Sequence, residues 1–318
     1  MTKSIMSGQR IPLVNRISSG WSILRAWRDG TFGNAETALA FHNELCDVIR
    51  THLHTGVEQA RILELGCGQI ATQTVLFQAD GADVVGIDVE VPTYTMGLGT
   101  LIKVIRTNGV ERALKSLLRH WLFDRRSFAE LSAKYGKRLP FEALDVRLMD
   151  ATHLSFPDDY FDFVYSAWVF EHVADVAGAV REMNRVLKPS GIAWINAHLF
   201  PSLSGGHNLE WLHPDEKPAE KVPPWDHLLD NRFPVNTYLN KLRLDDYRRI
   251  FADTVDVIDE ALACEGIDLL TPTIEESLHN RGYTREELLT YNLRFLCRKK
   301  DTHRRQAVGH TTQNGSTT

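Results

Sequence analysis

Cysteine is scarce in this chain. Cys46, Cys67, Cys264 and Cys297 are the only four in 318 residues, and no two stand at a metal-ligand spacing. A disulfide framework and a cysteine-zinc site are therefore excluded, and the thiols read as the reduced thiols of a cytoplasmic protein. Long apolar runs are absent too: nothing approaches the roughly 18 residues of a membrane span. Met1 to Arg10 lacks the apolar core of a signal peptide. There is no basic excess, since the formal net charge is −5 and the pI about 6.2, so whole-chain electrostatics do not point to nucleic acid. No internal repeat is found. What remains is an ordinary globular composition, 43% hydrophobic and 24% charged, long enough for one large domain or two small ones.

The most informative stretch is Arg61 to Ala71. Arg61 to Leu65 reads as a short buried strand, followed by Gly66 and Gly68 and then by a helical run from Ala71 to Ala79. A strand that turns into a helix through glycines is a nucleotide-binding turn: the glycines let the backbone approach a ligand, and the helix start offers N–H groups. Asp83 to Asp88 is a second strand that ends in a carboxylate, and Asp88 lies 20 residues beyond Gly68. An acidic side chain at that position suits ribose hydroxyls. Before the turn, Asn34 reads as an N-cap and Ala35 to His54 as an amphipathic helix, with a shorter helix expected at Ser22 to Arg28.

Beyond the second strand, residues 91–140 are too long for a simple crossover. Leu101 to Ile105 and Ala113 to Phe123 carry helical spacing, and Leu101 to Pro140 holds ten Lys or Arg against three acids. Such a basic amphipathic insert suits an anionic substrate or peripheral contact with a membrane surface through residues 101–138, and equally a solvated helix face. Strands are expected at Phe141 to Arg147, Phe161 to Ser166 and Ile192 to Ala197. A helix is expected from Val176 to Leu187, stopped by Lys188-Pro189-Ser190-Gly191. This alternation indicates an α/β fold with a mostly parallel sheet covered on both faces. His198 to Asn236 is a long irregular segment rich in Trp, Pro, Gly and His. Helices then follow at Leu244 to Ala252, Pro272 to His279 and Thr284 to Leu289, with strands at Thr254 to Ile258 and Tyr291 to Arg298.

Glu64-Leu65-Gly66-Cys67-Gly68, Asp88, Asp150-Ala151, Phe161 to Ser166, Glu171-His172-Val173 and Leu187 to Gly191 stand in one order. Over residues 60–197 that order resembles class I S-adenosylmethionine-dependent methyltransferases, in the small-molecule branch of quinone-biosynthesis enzymes. The resemblance implies a Rossmann-like seven-stranded sheet with an antiparallel C-terminal hairpin and S-adenosylmethionine as cofactor. The chain is then read as an N-terminal helical cap (1–56), a methyltransferase domain (57–302) carrying the insert (91–140) and a substrate-side lid (198–243), and a polar tail (303–318) expected to be disordered. By the same resemblance Glu64, Gly66, Cys67 and Gly68 contact the methionine part of the cofactor and Asp88 holds the ribose. Asp150 accepts from the adenine amino group with Ala151 beside it, and Ser166 lies near the sulfur. The sequence departs from the family at Ile70, where a third glycine is usual, and this keeps open a catalytically silent cofactor-binding regulator or partner subunit.

The acceptor implied is a small molecule methylated on oxygen or nitrogen, with anionic, sugar-linked and lipid-linked acceptors all open. A nicotinamide dinucleotide is the rival cofactor, since Gly66-x-Gly68-x-x-Ala71 satisfies its fingerprint formally; Glu64 ahead of the glycines would repel a pyrophosphate. A hydroxyl acceptor needs a base, and His172, His198, His207 and His227 are the candidates, each with a competing structural role. His198 directly follows a strand, where ligands of such sheets bind. His207, His213, Asp226 and His227 match no zinc spacing, so no metal is expected.

Overall fold

The computed structural model describes residues 34–211 and 219–300. The expected helix at Ser22 to Arg28, the first part of the N-terminal cap, His213 and the C-terminal tail lie outside the described residues. The strands are β1 (Arg61–Leu65), β2 (Asp83–Asp88), β3 (Asp145–Leu148), β4 (Phe161–Ala167), β5 (Leu187–His198), β6 (Asp256–Cys264) and β7 (Thr290–Arg298). They form one sheet in the order β3-β2-β1-β4-β5-β7-β6. β1 to β5 pair in parallel, while β7 runs antiparallel to both β5 and β6. The sheet is Rossmann-like, with an antiparallel C-terminal hairpin.

The helices are α1 (Ala35–Leu53), α2 (Thr72–Ala79), α3 (Leu98–Asn108), α4 (Val110–Arg119), α5 (Arg125–Tyr135), α6 (Val176–Val186), α7 (Leu244–Thr254), α8 (Pro272–His279) and α9 (Arg285–Leu289). Asn34 caps α1, accepting from the Glu36 amide at 2.8 Å. The central strands are apolar on both faces because helices cover both. On one face Leu63, Val164, Ala193 and Phe295 pack with Val180, Met183 and Phe251 of α6 and α7. On the other, Ile62, Phe163, Ile192 and Trp194 pack with Leu45 and Ile49 of α1.

Several boundaries differ from the sequence reading. α2 starts at Thr72, because Ala71 takes a left-handed φ of 46° that belongs to the turn. Residues 141–143 form a 3-10 turn, and β3 begins only at Asp145. β6 begins at Asp256 and reaches Cys264, well past the expected end at Ile258. It is an edge strand with mostly exposed side chains, so no apolar run announces it. The segment after β5 closes on a core of its own, in which Leu203, Trp211, Trp225 and Leu228 meet Leu270 and Leu278. Among the described residues no helix is long and apolar enough to cross a membrane.

Candidate cofactor and acceptor site

The carboxyl ends of β1, β2, β4 and β5 bring the sequence-predicted residues to one edge of the sheet. Gly66 and Gly68 have φ of 78° and 69°, which strains any other residue. They differ in what faces them. A Cβ on Gly66 would lie 2.3 Å from Val169 Cγ2, whereas a Cβ on Gly68 would meet nothing within 4 Å. Gly66 thus admits Val169 after β4, and Gly68 presents an open face. The Gly66 and Cys67 amides donate to the Ile87 carbonyl at 2.8 and 3.0 Å, which fastens the turn to β2. Asp88 closes the other side: its Oδ2 accepts from the Gly68 amide at 2.8 Å and its Oδ1 from the Glu90 amide at 2.7 Å. Burial raises the Asp88 pKa, and these amides oppose the rise.

Glu64 points inside. It is buried, accepts from the Thr74 hydroxyl, and has the Thr74 amide as a further partner near the start of α2. The start of α2 therefore faces a protein carboxyl group. A pyrophosphate would need that same helix start, so this arrangement argues against a dinucleotide. Burial pushes the Glu64 carboxyl up to about 7. The buried Cys67 thiol is raised by burial as well, and sits beside Gly86, whose Cβ would come within 3.0 Å of its sulfur. Ile70 is not among the positive-φ residues; the left-handed conformation falls one residue later, at Ala71. A third glycine is not required by this turn.

Asp150 stands exposed past β3, with Oδ1 accepting from the Thr152 amide at 2.9 Å and hydroxyl at 2.8 Å. Ala151 packs against the main core beside it. Ser166 is fully buried and donates to the Leu65 carbonyl at 2.8 Å, so its hydroxyl ties β4 to β1.

One contact was not foreseen. Arg119, at the end of α4, donates to Gln69 Oε1 at 2.7 Å, to Thr93 Oγ1 at 2.6 Å and to Asp124 at 3.1 Å. The Thr93 amide also donates to the Gln69 carbonyl at 2.7 Å. The insert is thus latched onto the residue that follows Gly68. Arg119 was legible only as one cation of a basic run. Of the other cations there, Lys137 binds Asp80 and Arg138 binds Glu142.

The histidines converge although their spacing does not announce it. The ring centroids of His172 and His207 are 5.0 Å apart, and those of His198 and His207 are 4.9 Å apart. His227 packs against Gly206 and donates from Nε2 to the Phe200 carbonyl at 2.9 Å. Burial pulls His198 down to about 3, and His207 and His227 to about 4. Their imidazoles are therefore held neutral at neutral pH. Glu171 was quoted only as part of a motif. It sits in the same cluster, 2% exposed, with the Glu171 and His198 amides near its carboxylate and no side-chain donor to either oxygen among the described residues.

A family model described as a methyltransferase domain matches residues 123–195. Among curated proteins, the chain is 36% identical to the demethylmenaquinone methyltransferase of Staphylococcus saprophyticus over 67 residues, 20% of this chain and 29% of the relative. It is 39% identical to that of Staphylococcus aureus over 67 residues, 20% of this chain and 28% of the relative. The chain thus spans less than a third of the length of the curated relatives it matches. Among solved structures, an S-adenosylmethionine-dependent methyltransferase from Mesorhizobium loti is 17% identical with a TM-score of 0.43, covering 79% of this chain and 96% of its own. A protein of Pyrococcus horikoshii is 15% identical with a TM-score of 0.44, covering 85% and 96%. The sheet is Rossmann-like with a reversed β7, its glycine turn is closed by Asp88, and residues 123–195 match a methyltransferase domain.

Proposed function

We propose that the protein transfers the methyl group of S-adenosylmethionine to an oxygen or nitrogen of a small lipid-linked molecule. The observation that carries the cofactor assignment is Asp88, held by the Gly68 and Glu90 amides beside the one face of the turn that is open. The residues fit the cofactor: Asp88 would receive the ribose hydroxyls, Asp150 would accept from the adenine amino group, and the methionine part would lie over Gly68. The cofactor supplies an electrophilic methyl on a sulfonium that loses its charge during transfer. The chain contributes position and exclusion of water. Val169 seals Gly66, Arg119 holds the insert against the turn, and the segment after β5 walls the acceptor side with its histidines. The lipid-linked acceptor is supported by the insert, whose helices carry exposed apolar residues beside exposed cations.

The test is calorimetric titration with S-adenosylmethionine, its demethylated product and NAD. The first two should bind, and Asp88→Ala should weaken both at least tenfold with the fold retained by circular dichroism. Binding of NAD alone would sink the assignment.

A further inference from the structure

We propose that Glu171, His198 and His207 form a binding site for a divalent transition-metal ion of the zinc or cobalt type. One ligand atom from each lies within 4.8 Å of those of the other two. Ligand atoms around a bound zinc, at about 2.0–2.2 Å from it, sit closer together than that, so side-chain rotation has to draw the three inward.

Three observations carry the site. The first is the state of the donors. Among the described residues, the Glu171 carboxyl group is buried with only the Glu171 and His198 amides near its oxygens and no cation or side-chain donor, and His207 Nε2 is buried without a hydrogen-bond partner, which is costly unless something else satisfies it. The second is the support behind His198. Ser204 Oγ donates to Glu265 at 2.6 Å, so it can only accept from His198 Nε2 at 2.8 Å. That proton fixes the tautomer and leaves the His198 lone pair on Nδ1. A ligating histidine that gives its other N–H to an oxygen acceptor is the arrangement metal sites use. The third is the contrast with the other cluster of ligand-type residues, His42, Cys46 and Asp80. There Asp80 already receives His42, Tyr135 and Lys137, so that cluster is a closed ion-pair network.

Two imidazoles and one carboxylate suit borderline transition ions better than magnesium, which prefers all-oxygen sites. Exposed His172 adjoins the His207 ring and marks the side open to solvent. Resting on the methyltransferase reading, the ion has a role at this edge of the sheet. It binds the acceptor oxygen, whose proton passes to water; that oxygen forms the bond to the methyl carbon as the carbon–sulfur bond breaks and its electron pair stays on sulfur.

The experiment uses the full chain, stripped with chelator and titrated calorimetrically with Zn2+ and with Co2+, the latter also followed by its visible absorption. One equivalent should bind. Glu171→Gln and His207→Gln should each weaken it at least tenfold, and His42→Asn should bind as the wild type does. Binding insensitive to Glu171→Gln and His207→Gln, binding lost in His42→Asn, or Mg2+ binding without either transition ion would overturn the site. The same samples are titrated with demethylated cofactor. Cofactor binding without metal binding removes the metal site and leaves the methyltransferase reading; metal binding without cofactor binding does the reverse.

Discussion

Glu64 is a buried carboxyl group with Thr74 as its hydroxyl partner, and burial pushes it up to about 7. In the unfolded chain a glutamate titrates near 4.3. Between those values the folded protein holds the proton more tightly than the unfolded one. The resulting stability is fully present below about pH 4.3 and is lost as pH rises through about 7. At about 1.4 kcal/mol per unit the loss is on the order of 3 kcal/mol. Glutamine keeps an oxygen for Thr74 and has nothing to titrate, so Glu64→Gln should flatten this part of the pH dependence. Urea unfolding midpoints from pH 5 to 8 check it: the advantage of the variant over the wild type should grow with pH, and parallel curves would refute the buried titration. This residue also marks where sequence stops speaking. A carboxylate ahead of two glycines is legible as part of a cofactor turn. That it turns toward Thr74 is a packing outcome, made possible by Gly86 leaving room for Thr74 and Cys67 on the neighbouring strand.

At the scale of elements, legibility followed burial. β1, β2 and β4 are covered on both faces and read as apolar runs with correct limits to within a residue. β6 and β3 lie at the two edges of the sheet, carry mixed side chains and were misplaced. The insert was legible as helical, basic and amphipathic, and much of its apolar stripe is exposed in the fold. Leu98, Val110, Leu114, Leu118, Trp121 and Leu122 are all more than half exposed, with Arg125 over the Trp121 ring at 4.9 Å. Exposed Lys103, Arg106 and Arg126 accompany them. Apolar side chains with flanking cations suit the boundary of an anionic bilayer. The protein should co-sediment with vesicles containing phosphatidylglycerol and far less with phosphatidylcholine alone. Leu118→Glu with Trp121→Glu should release it about tenfold without moving its melting temperature. Equal sedimentation of the variant would remove the membrane role of these helices.

At the scale of the whole molecule, the sheet sets two sites side by side, one on the glycine turn and one under the segment after β5. The parallel sheet was legible from the alternation of strands and helices, and its antiparallel C-terminal hairpin from the resemblance. The histidine cluster was not, because residues 171, 198 and 207 share no helix or strand face and meet only when that segment folds back on its own core. The insert is joined to the cofactor turn by Arg119, so a change in a helix outside the sheet should reach cofactor affinity. A ligand bound only by the folded state, at about 100 times its Kd, adds roughly 2.7 kcal/mol of stability. In a domain of this size that corresponds to a rise of roughly 5–10 °C in melting temperature. Demethylated cofactor should give the wild type such a shift. Arg119→Ala removes the donor to Gln69 and Thr93 but lies away from the two main core layers, so its ligand-free melting temperature should fall by no more than a few degrees. It should then need at least tenfold more ligand for the same shift, because the turn must be ordered at the moment of binding. A variant that responds to ligand as the wild type does would show that the turn is held by Ile87 and Asp88 alone, and that the insert serves the acceptor rather than the cofactor.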